Sequence, residues 1–153
     1  MTEVNGLRLA FRGLVAGMAA GWVWLATAML GSLAVGEDPL RPLRIIGAHV
    51  PNAGLVLAAA VIQVAAAGIG LGFAYFFGRY FTVRGTLFAA ATTFALLAWL
   101  TVADVHAGSA GSTGWTGQIV LGLAALAYGI TLGAGIPVRG EVMRYPSEGS
   151  AST

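Results

Sequence analysis

The residues best equipped for chemistry are two histidines, His49 and His106, with Asp104 two positions before the second and Glu37 and Asp38 upstream of the first. Two imidazoles and a carboxylate can ligate zinc or copper, and two imidazoles can clamp a haem. That makes His49, Asp104 and His106 the candidate metal set, and His49 and His106 the candidate cofactor ligands. These residues lack ligand-type spacing, so the plainer expectation is a pair of interfacial histidines and no metal or haem. The chain has no cysteine, which removes disulfides, thiolate metal sites, iron-sulfur clusters and covalent haem attachment. It also has no Walker loop, His-Glu-x-x-His motif, nucleophile elbow or dinucleotide fingerprint. The sequence therefore predicts no catalytic residue and no enzyme.

The elements that would position these groups follow from composition. The chain is 58% hydrophobic and only 9% charged over 153 residues, far from the roughly 25% charge of a soluble domain. Lipid is the expected solvent. About 20 uncharged residues cross a hydrocarbon core of roughly 30 Å, and four stretches meet that length: Gly13–Val35, Pro51–Phe77, Thr86–Ala103 and Gln118–Val138. They are joined by an outer loop (36–50), a short inner turn (Gly78–Gly85) and a second outer loop (104–117). A polar tail at 139–153 reads as disordered. The predicted fold class is an all-α integral membrane protein: one domain, a four-transmembrane-helix bundle with Gly/Ala-rich helix interfaces. A competing reading makes the first stretch a signal peptide cleaved near Ser32-Leu33-Ala34. Its apolar run exceeds the usual h-region of about 7 to 15 residues, so a retained helix is the expectation.

Every basic residue is an arginine, eight against six acids, and no cluster suggests nucleic acid. Arg8, Arg12, Arg79, Arg84, Arg139 and Arg144 fall on one side of the four spans, Arg41 and Arg44 on the other. Arginine-rich loops stay inside, which predicts a bacterial inner-membrane protein with both termini cytoplasmic. Tyr75, Phe76, Phe77, Tyr80 and Phe81 then form an aromatic belt at the inner interface.

Glycine occupies 23 of 153 positions, about twice ordinary usage. Gly13, Gly17 and Gly21 repeat every four residues, as do Gly68 and Gly72, and Gly129 and Gly133. Such rows make smooth grooves where a second backbone can approach closely. They are expected to pack the bundle, or to receive another subunit. Trp22 and Trp24 point to nearly opposite sides of the first span, so one of them is a candidate exposed contact.

The polar groups inside the spans are few: Thr27, Gln63, Thr92, Thr93, Tyr128 and Thr131. Hydroxyls can bond a carbonyl one turn back, which leaves Gln63 as the group needing a partner from another helix. A small proton-coupled multidrug exporter needs a carboxylate in its first span, and Gly13–Val35 has none. In the first outer loop, Pro42 can open a short helix with Arg41 and Arg44 on one side and Leu40, Leu43 and Ile46 on another. Such a helix should lie at the interface, its arginines binding lipid phosphates or pairing with Glu37 and Asp38.

The functional expectation is a non-catalytic structural or accessory subunit, with the lipid bilayer and either other membrane subunits or further copies of itself as partners. The alternatives are a transporter or channel for a neutral or apolar solute beside Gln63, and a haem- or quinone-binding electron-transfer subunit using His49 and His106.

Overall fold

The computed structural model describes residues 3–47, 54–78, 80–107 and 114–137. Those residues form five helices: α1 (Glu3–Ala34), α2 (Arg41–Gly47), α3 (Leu55–Phe77), α4 (Arg84–Ala107) and α5 (Trp115–Gly135). Helices satisfy all but their terminal backbone groups internally, which suits a hydrocarbon surrounding. Among the described residues three segments are long and apolar enough to cross a membrane: Gly6–Ala34, Leu55–Phe77 and Trp115–Gly135.

Several boundaries differ from the sequence reading. Helix α1 begins at Glu3, not Gly13, and its 32 residues extend about 48 Å at 1.5 Å per residue. It is thus longer than a hydrocarbon core. Gly54 precedes α3, while Pro51 lies outside the described residues. Helix α4 continues through 104–107, so Asp104 and His106 stand on a helix where a loop was expected. Trp115 opens α5, which ends at Gly135 rather than Val138. The tail at 139–153 lies outside the described residues.

Glycine ends α1 for a definite reason. Gly36 adopts φ +76°, a left-handed conformation that costs other residues about 1–2 kcal/mol. Its N–H donates to Leu33 O at 3.1 Å and the next N–H, of Glu37, donates to Ser32 O at 2.8 Å. This is the Schellman arrangement, which satisfies two otherwise orphaned carbonyls. The chain then turns into α2. Leu43 of α2 is buried with Leu25, Ala58 and Ile62, and Leu40 packs against them. The other face carries the ion pairs Arg41–Glu37 and Arg44–Asp38, the latter at 3.0 Å. Both arginines are therefore held by local acids, and α2 closes the end of the α1–α3 pair.

Helix α1 is the central element, lying between α3 and α5, with α4 on α5. Gly13 lies near Gly70 and Ala74, and Gly17 near Ala66, so α1 and α3 are antiparallel. Gly135 meets Ala16 and Gly31 meets Val120, so α5 is antiparallel to α1 as well. Gly133 lies on Phe88 and Gly129 on Thr92, giving the same relation between α4 and α5. The core is built from small side chains, including Ala16, Ala20, Ala66, Ala74 and Ala91, closed by Phe73, Leu87, Leu132 and Ile136. Phe73 of α3 and Phe94 of α4 touch, with ring centroids 5.6 Å apart. The exterior is no more polar: Val15, Val56, Val64, Leu97 and Ile119 are exposed along the helices. An apolar solvent explains that distribution, since lipid tails impose no cost on an exposed Val or Leu.

Candidate functional site: the helix junction at Ala66

Among the described residues, the closest helix crossing is that of α1 and α3. A Cβ on Gly70 would lie 2.6 Å from Gly17 Cα and 2.9 Å from Gly17 N, and one on Gly17 would lie 3.0 Å from Gly70 Cα. Only hydrogen fits between these backbones. Gly13, Gly17 and Gly21 of the expected first row all face α3 here. The second row makes no crossing inside the fold. Gly68 and Gly72 have open space where a Cβ would stand, and the groove of α3 is formed by Gly70 with Ala66 and Ala74. A helix turns 100° per residue, so a two-position shift from Gly68 to Gly70 moves the groove to nearly the opposite face. The third row, Gly129 and Gly133, lies against Thr92 and Phe88 of α4.

One turn from the crossing, Gly21 leaves room for the Gln63 amide: a Cβ there would lie 2.8 Å from Gln63 Oε1. With its amide turned to match its neighbours, Gln63 donates from Nε2 to Met18 O at 3.1 Å. Its Oε1 accepts from the Trp22 N–H at 3.3 Å. Both ends of the side chain thus engage the backbone of α1, and the partner that Gln63 needed is a helical turn rather than another side chain.

A second interhelical bond comes from a residue that sequence reasoning counted among the polar groups of the spans but left to its own helix. The Tyr128 hydroxyl of α5 donates to Ala66 O of α3 at 2.9 Å, in a buried position. Tyrosine cannot reach back to its own helix as threonine does, so a buried Tyr must find a carbonyl elsewhere. The threonines behave locally: Thr27 donates to Val23 O and Thr131 to Ala127 O, each at 2.8 Å. Ala66 consequently sits where three helices meet, its methyl in the core, its carbonyl holding α5 and touching the Gly17 position of α1.

Of the tryptophans in α1, Trp22 is 57% exposed, whereas Trp24 packs against both buried clusters. In α4, Trp99 covers Gly122, and its buried Nε1–H has no hydrogen-bond partner among the described residues. At the other end of α4, Arg84 donates from its guanidinium to Ala134 O at 2.9 Å. A cation at a helix C-terminus is favoured by the dipole and binds a carbonyl that has no intrahelical donor. Sequence reasoning had counted Arg84 for topology alone.

No side chain of the candidate ligand set falls among the described ones. His49 lies outside the described residues, and the side chains of Asp104 and His106 do too, although their backbone belongs to α4. The junction at Ala66 can hold helices together, but it offers neither a nucleophile with a base nor an acid-base pair. Comparison of the chain with protein-family models, curated proteins and solved structures finds no match.

Proposed function

We propose that the chain is a four-span inner-membrane protein acting as a non-catalytic structural or accessory subunit, packing against a neighbouring transmembrane helix of a larger complex or of a second copy. The fourth span in this reading is α4, whose Thr86–Ala103 segment carries no charge. Both termini are cytoplasmic. Arg8 and Arg12 of α1 lie at the same end as Arg84, whereas Arg41 and Arg44 lie at the far end, and arginine favours the cytoplasmic side.

The observation that carries the reading is the outward face of α3. Two glycine rows are occupied by crossings inside the fold, while Ala65, Gly68 and Gly72 form a third small-residue face on the side of α3 away from α1. In lipid a bare glycine face leaves van der Waals contact unmade, and a partner helix is what fills it best. Nothing comparable favours solute passage, because Gln63 already satisfies its amide on α1.

The test is the native mass of the full chain, gently solubilised from its host's membranes, compared with a Gly68→Leu/Gly72→Leu variant. Wild type should migrate as a defined assembly and the variant as single chains of equal helicity. A wild-type monomer, or a variant that assembles unchanged, would overturn the reading. Identifying co-purifying chains separates a foreign partner from a second copy.

A further inference from the structure

At the arginine-rich end of α1, an open cleft of about 530 Å³ runs between α1 and α3. That is within the roughly 300–1,000 Å³ of clefts that hold small ligands. Arg8 and Arg12 border it, with Leu7, Phe11 and Leu14 of α1 and Leu71 of α3 as its apolar walls. We propose that this cleft is a binding site for an anionic phospholipid, its phosphate on Arg8 and Arg12 and one acyl chain laid along Phe11, Leu14 and Leu71.

Three observations point to that occupant. First, Arg41 and Arg44 are ion-paired and Arg84 bonds a carbonyl. Arg8 and Arg12, both exposed, make no ion pair with any described residue. Second, residues four apart share a helix face about 6 Å apart along the axis. Two guanidinium groups so spaced can hold one phosphate between them, and arginine's planar fork suits phosphate oxygens. Third, the depth is right for a lipid. The uncharged run begins at Gly13, so Arg12 marks the hydrocarbon boundary. Helix side chains tilt toward the N-terminus, which carries the Arg12 guanidinium back to headgroup level, with Phe11 between the two arginines and Leu14 and Leu71 lining the cleft beneath. A soluble anion would use the arginines and leave the apolar walls empty. A zwitterionic lipid would fill the walls but bring its own cation to the arginines.

The inference rests on the chain being embedded in a bilayer and not on the partner helix of α3, so retention is read on the single-chain species. The full chain is reconstituted in nanodiscs of equal phosphatidylglycerol and phosphatidylcholine, released in the mass spectrometer, and its retained lipid counted. Wild type should keep phosphatidylglycerol about tenfold or more over phosphatidylcholine. Arg8→Gln/Arg12→Gln should abolish the preference with helicity unchanged. Arg41→Gln/Arg44→Gln, which removes the same charge from paired arginines, should preserve it. Phe11→Ala/Leu71→Ala should weaken retention with the charges intact. No wild-type preference, equal preference in the Arg8/Arg12 variant, or displacement of the lipid by millimolar inorganic phosphate would overturn the proposal, the last by showing a site for free anions.

Discussion

Gly68 and Gly70 offer a controlled comparison: the same residue type, two positions apart on one helix, in opposite surroundings. Alanine at 68 adds a methyl into open space and removes glycine's helix penalty, a gain of up to about 1 kcal/mol. Alanine at 70 places the same methyl 2.6 Å from Gly17 Cα and 2.9 Å from Gly17 N, where ordinary contact begins at 3.4 Å. These atoms belong to backbone, so no side chain can rotate away, and α1 must retreat by most of an ångström. A radial gap of about 0.5–1 Å forfeits a quarter to a half of each contact's attraction, and overpacking of this kind costs about 1–3 kcal/mol. Both variants gain the same helix propensity, so they should differ by the overpacking cost alone, about 1–3 kcal/mol, with Gly70→Ala the less stable. Reversible unfolding of the detergent-solubilised single chain with sodium dodecyl sulfate, followed by far-UV circular dichroism, measures the difference. Equal stabilities of the two variants, or a Gly70→Ala variant more stable than Gly68→Ala, would refute the α1–α3 register.

Three further outcomes follow from single contacts, each measured in the same titration. Tyr128→Phe removes the bond to Ala66 O and should lower stability by about 0.6–2 kcal/mol. Thr131→Val, whose bond is local, should change it by less. Gly36→Ala forces a side chain into φ +76° and should lower stability by about 1–2 kcal/mol. A neutral result there would mean that the end of α1 is not the turn described. Arg84→Gln withdraws the charge from Ala134 O at the end of α5 and should lower stability by about 0.3–1 kcal/mol, an effect that shrinks as salt rises. Salt independence would show that the charge contributes nothing.

Much of the architecture was legible because it depends on composition. Length without charge marked the apolar helices, arginine placement grouped Arg8 and Arg12 with Arg84, and the four-residue period of Gly13, Gly17 and Gly21 lies along a helix crossing. The same period also marks Gly68 and Gly72, which have open space rather than another helix of this chain beside them. In water a helix reveals its buried face by hydrophobic contrast. In α3 the exposed Val61 and Val64 are as apolar as the buried Ile62, so the sequence had no contrast to show which side meets α1.

Asp104 and His106 were assigned to a loop because charge and glycine follow Ala103, yet α4 continues to Ala107. Glycine and serine from 108 onward suggest a loop by composition, but composition does not say where the preceding helix stops. The bonds from Tyr128 to Ala66 and from Arg84 to Ala134 join positions far apart in the chain, where local periodicity carries no information. By itself, then, the sequence determined that the chain is helical, apolar and tightly packable, because those properties are sums over residues. Which glycines touch, which carbonyls are claimed and which arginines are left at an open cleft were decided by tertiary structure, because each depends on the rotation of one apolar helix against another.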